Sequence, residues 1–189
     1  MKLQQASAIA ERVKGTLAAW CRQIEVAGSV RRQRPECGDI DLVILPHSET
    51  AKAEIKRRCL VSSRLVRDGD QNFIVQLHGW PSLPAGCQLD VFFAQPASTD
   101  LFTPAPTNLG SLLLCRTGSK EHNIFLIEHA KTLEKKWDPY RGVLAGGRWH
   151  HYPQLPSEYL GGELVAAATE MEIFAALGLP FIPPEQRER

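Results

Sequence analysis

The sequence lacks any long apolar run. None of its 189 residues belongs to an uninterrupted hydrophobic stretch of about 18 residues, which a membrane-spanning helix requires. The opening residues, MKLQQASAIAERVK, also lack the apolar core and cleavage site of a secretory signal. A helical membrane protein is therefore excluded, and we expect an intracellular, cytoplasmic protein that does not bind membranes.

Cysteine is present but unpaired in the sequence. Disulfide-rich secreted domains and zinc modules carry cysteines in even numbers or at short, regular spacings. This chain has an odd number, widely spaced and never in a C-x-x-C pair: Cys21, Cys37, Cys59, Cys87 and Cys115. Neither a disulfide framework nor a zinc site is indicated, and free thiols suit a reducing compartment.

The chain also has little net charge, formally +1. Residues 1–157 hold 20 basic and 15 acidic residues, whereas residues 158–189 hold 2 basic and 6 acidic residues. Any polyanion should therefore lie along the first part, whose formal charge of +5 predicts weak, salt-sensitive binding.

Hydrophobic periodicity predicts an α+β chain in two parts. Apolar residues at spacings of four indicate a helix over about 6–20, and β-branched or alternating runs indicate strands at about 23–26, 40–45, 64–68, 72–77 and 87–94. Ser48 can cap a helix over about 49–58. The proline-rich stretch 95–107 predicts a joint, and we place the domain boundary after residue 106.

The second part begins with a short helix at about 108–115. Ser119 can cap a longer helix that ends near residue 133, and a capping box at Thr169 opens a last helix that Gly178 ends. Between them, the Gly, Pro and aromatic residues of 137–162 indicate short strands and turns.

Two aspartates mark the segment that carries most chemistry. In GDIDLVI (38–44), Asp39 and Asp41 emerge on one face of a strand, because the side-chain period of a strand is two. Neighbouring carboxylates repel each other. The pattern therefore favours divalent cations between them, typically two Mg²⁺ about 3.5–4 Å apart in enzymes of phosphoryl transfer.

A third carboxylate, Asp90, lies in QLDVFF (88–93), again polar on one side and apolar on the other. If this strand lies beside the first, Asp90 completes a three-carboxylate site and can accept a proton from an attacking hydroxyl. A strand carboxylate that only faces water is the alternative.

The segment GSVRR (28–32) precedes the aspartates and suits a phosphate chain. Gly28 lets a phosphate approach the backbone, Ser29 offers a hydroxyl and an amide, and Arg32 can neutralise phosphate charge.

These motifs, in this order, closely resemble the nucleotidyltransferase palm of the X family of DNA polymerases, the DNA polymerase beta type. The resemblance continues in TGSKEHN (117–123) and EIFAALGLPFIPPE (172–185) and covers about residues 28–185. It implies a palm over 1–106, with a mixed β-sheet flanked by helices, and a small α+β thumb-like, nucleotide-selecting subdomain over 107–189. It also implies a monomeric enzyme that adds deoxynucleotides to a DNA 3′ end on primer-template or gapped DNA, in short-gap repair.

The resemblance assigns roles to individual residues. Asp39 and Asp41 would bind two Mg²⁺ ions, for which Mn²⁺ can substitute, and Asp90 would bind the catalytic ion near the primer 3′-hydroxyl. Asn123 would touch the edge of the incoming base. The full expected nucleotide site is Gly28, Ser29, Arg32, Gly38, Cys115, Arg116, Gly118, Ser119 and Asn123. The expected DNA contacts are Arg116, Lys120 and Arg148.

The sequence departs from the family pattern in three places. Cys115 and Arg116 stand where the family has an aromatic pair that screens the sugar, and Gln88 stands where a basic residue commonly precedes the third aspartate. Only 27 residues precede Gly28, so we expect no counterpart of the family's lyase domain and helix-hairpin-helix fingers.

Several alternatives remain open at this stage. The same metal site would serve transfer to an RNA end, a protein hydroxyl or a small molecule, and a non-catalytic DNA-end-binding module could retain the fold. The basic stretch between residues 52 and 67 either follows a DNA backbone or forms a solvated helix face. The four tryptophans either stack on bases or pack internally: Trp20, Trp80, Trp137 and Trp149.

Overall fold

The computed structural model describes residues 1–61, 63–78, 86–98, 100, 105–154 and 156–188. Trp80 lies outside these residues. The chain forms two compact units. The first unit comprises Met1–Gln95 with Pro184–Gln186, and the second comprises Pro96–Pro183 with Arg187–Arg189. The division falls at the start of the proline-rich joint.

A five-stranded mixed sheet forms the centre of the first unit. Its strand order is β1-β2-β5-β4-β3, in which β2 and β5 are parallel and the other neighbours are antiparallel. The strands are β1 Cys21–Val26, β2 Ile40–Pro46, β3 Ser63–Arg67, β4 Asn72–Leu77 and β5 Gln88–Phe93. The helices are α1 Leu3–Leu17, α2 Gly28–Arg31 and α3 Glu49–Leu60.

The core of the first unit lies between the sheet and the helices α1 and α3. Ile9, Val13 and Leu17 of α1 pack in it with Ile55 of α3, as the helical period predicts. The α1 helix begins three residues earlier than predicted. It also ends three residues earlier, because residues 18–20 form a separate 3₁₀ turn. Ser48 caps α3 by accepting a hydrogen bond from the Ala51 amide at 3.1 Å.

The second unit combines three helices with two small antiparallel sheets. The helices are α4 Leu109–Thr117, α5 Lys120–Thr132 and α6 Glu170–Ala176. The strands are β6 Lys136–Asp138, β7 Gly142–Ala145, β8 Arg148–His150, β9 Glu158–Leu160 and β10 Glu163–Ala166, in the orders β10-β7-β6 and β8-β9. Ser119 caps α5, and Thr169 with Glu172 forms the predicted capping box of α6.

The predicted α+β class, with a mixed sheet and flanking helices, is confirmed. Among the α-helices and strands of the described residues, α2 and β10 escaped prediction, as did the 3₁₀ turns at 18–20 and 184–186. The helix α2 and the strand β10 are both short. Each has four residues, which is too short for a helical or strand period to register. Among the described residues, no helix combines the length and apolar character needed to cross a bilayer.

Candidate active site

Three aspartates converge where β2 and β5 lie side by side. Asp39 immediately precedes β2, Asp41 is its second residue, and Asp90 is directly opposite Asp41 in the parallel register. One carboxylate oxygen from each lies within 4.8 Å of the others, and all three residues are half-buried. The structure therefore brings together the three aspartates that the sequence singled out, and we call this group the three-aspartate site.

Strand geometry explains this convergence. Ile40 and Leu42, which flank Asp41, are fully buried, and Leu89 and Val91, which flank Asp90, are nearly so. Because successive side chains of a strand point to opposite faces, burying these residues places both aspartates on the other face. The parallel pairing then aligns the two carboxylates across neighbouring strands.

Gly28 packs directly against one of these carboxylates. Its φ is +58°, and a Cβ atom placed on it would lie 1.9 Å from Asp41 Oδ2. The neighbouring Ala27 amide donates to the Asp41 carbonyl at 2.9 Å. Glycine is thus required here both for its backbone conformation and for the space that Asp41 occupies.

Gln88 holds another of the carboxylates. Its side-chain amide donates from Nε2 to Asp90 Oδ1 at 2.8 Å. Gln88 lies two residues before Asp90 on β5, so both side chains emerge on the same face. A neutral donor therefore orients Asp90 at the position where the family commonly has a cation.

The segment after Gly28 places polar groups beside the three-aspartate site. Ser29 Oγ is buried and has no hydrogen-bond partner among the residues that the structure describes. Arg32 directly follows α2, is half-buried, and donates its amide to the Gly28 carbonyl at 3.1 Å. Gly38, just before Asp39, is exposed, with open space where a Cβ atom would lie. A buried, unsatisfied hydroxyl costs free energy unless a ligand completes it.

The donor set fits hard divalent cations. Carboxylate oxygens are the side-chain ligands that Mg²⁺ and Mn²⁺ prefer, and three of them within 4.8 Å can share one or two ions. The three carboxylates therefore provide the kind of donor set that an oxygen-ligated metal ion requires, with Gly28 packed against one of them.

In the second unit, the turn between α4 and α5 holds the other expected nucleotide contacts. Gly118 has a φ of +70°, and the peptide bond from Gly118 to Ser119 is cis. Ser119 Oγ accepts from the His122 amide at 3.2 Å, while the Ser119 amide donates to the Arg187 carbonyl at 3.0 Å. The C-terminal segment thus fixes the start of α5.

Asn123 is held by the end of α4. Its Nδ2 donates to the Cys115 carbonyl at 2.8 Å, and its Oδ1 is buried with no hydrogen-bond partner in the described part of the chain. Burial raises the pKa of the Cys115 thiol, although the Arg116 charge partly opposes this effect. Arg116 Nη2 donates to the Tyr140 hydroxyl at 2.5 Å. Its guanidinium is thus engaged within the second unit.

Comparison with known proteins agrees with this geometry. The chain matches the DNA polymerase beta palm over residues 3–78 and the DNA polymerase beta thumb over residues 112–188. The chain belongs to the X family of DNA polymerases, in its polymerase beta branch. It is accordingly a nucleotidyltransferase.

Solved structures share the fold of this polymerase. A ternary P/T complex of Leishmania infantum polymerase beta aligns with 100% of this chain and 77% of that chain, with a TM-score of 0.72 at 16% identity. A ternary gap complex of the same Leishmania protein aligns with 100% of this chain and 71% of that chain, with a TM-score of 0.70 at 16% identity. No curated protein matches the sequence.

The remaining expected DNA contacts of this polymerase are exposed. Lys120 is the first residue of α5 and Arg148 is the first residue of β8. Within the basic stretch between residues 52 and 67, four cations form ion pairs on the protein surface. These pairs are Lys52 with Glu49, Lys56 with Asp68, and both Arg57 and Arg58 with Glu54. The pKa of Glu54 is lowered to about 2, chiefly by the hydrogen bond from Arg57.

Sequence reasoning missed three residues that contact the expected site residues. Gln88 was noticed as a departure, and its spacing of two from Asp90 could have revealed the contact. Tyr140 and Arg187 carry no such signal, because they reach Arg116 and Ser119 from 24 and 68 residues away. Only the tertiary fold brings them there.

Proposed function

We propose that this polymerase adds deoxynucleotides to the 3′ end of a primer in short-gap repair. The observation that carries the proposal is the convergence of three carboxylate oxygens within 4.8 Å beside an unsatisfied serine hydroxyl. The Leishmania polymerase beta was solved as both a P/T and a gap complex, which supports gapped or primer-template DNA as the substrate.

The three-aspartate site would hold two Mg²⁺ ions, or Mn²⁺ in their place. Bound there, such ions would stabilise the negative charge that develops on the phosphates during transfer. Asp39 and Asp41 would bind both ions, and Asp90 would bind the catalytic one. The Asp90 carboxylate also accepts the proton of the attacking 3′-hydroxyl, in the orientation set by Gln88.

In this proposal the incoming nucleotide is held by the short helix α2, which follows β1, and by Arg32 just after it. Ser29 donates its buried hydroxyl to a phosphate oxygen, and Arg32 neutralises phosphate charge. Gly28 and Gly38 keep the backbone on either side of the site free of side chains, so the triphosphate can lie against it.

The second unit selects the nucleotide in this proposal. Asn123 contacts the edge of the incoming base, and doing so through Nδ2 requires it to exchange its present bond to the Cys115 carbonyl. Gly118 forms the turn over the sugar, next to Ser119. Because Cys115 and Arg116 replace the family's aromatic pair, we expect weaker discrimination between deoxy- and ribonucleotides, measured by competing the two triphosphates.

Primer extension on gapped DNA tests the assignment. Asp90→Ala should lower kcat by about a thousandfold or more, since it removes a ligand and a proton acceptor together. Asp70→Ala, which removes an exposed carboxylate from the turn between β3 and β4, is the matched control and should leave kcat unchanged. Equal incorporation by the wild type and Asp90→Ala would remove the mechanism.

Two further measurements separate the alternatives. Labelled nucleotide offered without DNA should give no product, and labelling of RNA, protein or a small molecule would favour a different acceptor. Mg²⁺ or Mn²⁺ with nucleotide should raise the melting temperature of the wild type much more than that of the double variant Asp39→Ala/Asp41→Ala, because this variant lacks both residues assigned to the two ions.

The modest charge of the chain bears on how it uses DNA. With +5 over residues 1–157, we expect binding that weakens steeply with salt and synthesis that releases DNA after few additions. The proposal also includes a monomer, testable by light scattering, and an intracellular setting that suits five free thiols.

A further inference from the structure

The second unit contains a cavity of which only one lining residue, Arg148, is among the expected DNA contacts. Its volume is about 370 Å³, and it lies between the C-terminal end of α5 and the β8–β9 hairpin. We call it the Trp149 cavity. The residues that line it are Lys131, Glu134, Arg148, Trp149, His151 and Ser157.

The Trp149 ring is held in one orientation by the fold. Its Nε1 donates to the Lys135 carbonyl at 3.3 Å, and its ring meets that of Tyr159 edge-on, with centroids 5.2 Å apart. The Tyr159 hydroxyl in turn accepts from the Gly147 amide and donates to the Glu134 carbonyl. An aromatic face that is fixed in advance costs little conformational entropy when a ligand stacks on it.

A second tryptophan of the same unit shows what a purely structural role looks like. Trp137 is only 3% exposed, and its indole donates to Ser111 Oγ at 2.9 Å within the core. Trp149 is equally well anchored, but it is half-buried and lines an open cavity. Core packing therefore explains the position of Trp137, whereas part of the Trp149 ring is exposed in the cavity, where a ligand can contact it.

Two of the residues that line the cavity with Trp149 are cations, Lys131 and Arg148. Lys131 Nζ lies 5.8 Å from the ring centroid and pairs with the exposed Glu128. Arg148 is exposed, and its guanidinium has no hydrogen-bond or ion-pair partner among the described residues. The cavity thus offers a flat apolar face and two cations, one of which has no carboxylate to neutralise it.

The polar remainder of the lining suits the edge of a base. His151 Nδ1 and Ser157 Oγ are 2.7 Å apart, and Glu134 contributes an exposed carboxylate that can accept from an amino group. A volume of about 370 Å³ is near the lower end of small-molecule pockets, so it suits one nucleotide rather than a duplex.

We propose that the Trp149 cavity binds one nucleotide carrying a 5′-phosphate, with its base stacked on Trp149 and its phosphate held by Arg148 and Lys131. Stacking on aromatic side chains beside basic groups is the general chemistry by which proteins hold unpaired bases. The nucleotide comes either from a single DNA strand or from a free nucleoside monophosphate. The site shares no residue with the three-aspartate site and does not depend on catalysis.

Binding of single-stranded oligonucleotides tests the proposal. The probe is a DNA oligonucleotide labelled at its 3′ end, with or without a 5′-phosphate, measured by fluorescence anisotropy against the full chain without metal or triphosphate. Trp149→Ala should weaken binding about tenfold, within the range for losing one stacked base. Arg148→Ala should abolish the preference for the 5′-phosphate and reduce the salt dependence by about one ion.

Two controls make the outcome decisive. Arg141→Ala removes an exposed cation of the same unit that does not line the cavity, and it should change affinity less than twofold. Trp149→Phe keeps an aromatic face and should retain most of the affinity, with a melting temperature close to that of the wild type. The proposal is overturned if Trp149→Ala binds like Arg141→Ala, or if Trp149→Phe loses as much affinity as Trp149→Ala.

Competition identifies the source of the nucleotide. Unlabelled dCMP that displaces the probe at millimolar or lower concentration indicates a free nucleotide, whereas displacement only by an unlabelled oligonucleotide indicates a DNA strand. Because these assays contain no primer extension, a wild type that binds the probe but extends no primer would refute only the proposed function. A wild type that extends primers but loses no affinity in Trp149→Ala would refute only this inference.

Discussion

The two units hold their candidate groups in different ways. In the first unit, Asp41 and Asp90 are aligned by backbone pairing between neighbouring strands, so the main chain itself sets their separation. In the second unit, single hydrogen bonds hold the candidate groups. The Asn123 side chain donates to the Cys115 carbonyl, and the Ser119 amide donates to the carbonyl of the distant Arg187. The first arrangement is as rigid as the sheet, whereas the second depends on individual side chains.

This difference indicates which substitutions should disturb the candidate groups of each unit. A sheet distributes a disturbance over many hydrogen bonds, so the three-aspartate site should change only when an atom touching a carboxylate changes. The turn between α4 and α5 has fewer supports, and a substitution far along the chain can loosen it. Four predictions test this contrast, beginning with the largest expected effect.

Breaking the buried ion pair of the second unit should have the largest effect. Arg187 is fully buried, and its Nη1 donates to Glu170 Oε1 at 2.7 Å. Arg187→Ala leaves the Glu170 charge buried without its partner, which should lower the free energy of unfolding by about 3–5 kcal/mol. Because the Arg187 carbonyl holds the Ser119 amide, the KM for nucleotide should also rise. Chemical denaturation and steady-state kinetics measure the two effects.

Two controls accompany this prediction. Removing both charges, by Glu170→Gln with Arg187→Met, should recover part of the stability, since no unpaired charge remains buried. Lys2→Ala breaks the exposed pair with Glu36 in the first unit and should change little. If Arg187→Ala unfolds like Lys2→Ala, the second unit does not depend on this contact.

Adding one methyl group at Gly28 should damage the three-aspartate site directly. In Gly28→Ala the new Cβ atom would collide with Asp41 Oδ2, and the alanine backbone would have to keep a strained positive φ. Displacing a catalytic carboxylate by about 1 Å is enough for a loss of about a hundredfold in kcat, measured by primer extension. Gly15→Ala, which adds the same methyl group in open space on α1, should keep full activity. Comparable activity of both variants would contradict the rigidity that we infer for this site.

Removing the support of Asp90 should have a smaller effect. Gln88→Ala deletes the hydrogen bond to Asp90 Oδ1 but leaves the backbone pairing intact, so we expect kcat to fall about tenfold. Gln76→Ala, on the opposing position of β4, is the matched control. An unchanged kcat in Gln88→Ala would show that strand pairing alone orients Asp90.

The smallest expected effect concerns two thiols in the core of the first unit. Burial raises the pKa of Cys59 to about 12 and that of Cys21 to about 11, both from 9.0. Thiols whose pKa is higher in the folded state keep their protons there while the unfolded chain loses them. The free energy of unfolding should therefore be unaffected below about pH 9 and should decline between pH 9 and 11. Urea denaturation at pH 8 and pH 10 should show a smaller decline in Cys59→Ala than in the wild type.

Much of the first unit could be predicted because its signals are local. Alternation in β2 and β5 assigned faces to Asp41 and Asp90, and the cap at Ser48 marked the start of α3, as the cap at Ser119 did for α5 in the second unit. Each of these patterns depends only on residues that lie close together in the sequence. Their pairing in space was a conditional prediction, because adjacency of β2 and β5 follows from the whole sheet.

Contacts between distant residues could not be predicted in the same way. Burial of Arg187 against Glu170 contradicts the usual exposure of charged residues, and only the packed structure supplies its partner. Trp137 and Trp149 are equivalent by residue type, yet one belongs to the core and the other lines a cavity. Composition cannot separate two such roles, because the distinction lies in the neighbours that the fold provides.

The parallel pairing of β2 with β5 also governs when the enzyme becomes competent during biosynthesis. Asp41 leaves the ribosome about 50 residues before Asp90, and β3 and β4 are made in between. Such a long-range contact forms late, after the loop-closure entropy has been overcome. A nascent chain that ends before β5 therefore has only two of the three acidic ligands, so nucleotidyl transfer must wait until the central strand of the sheet is in place.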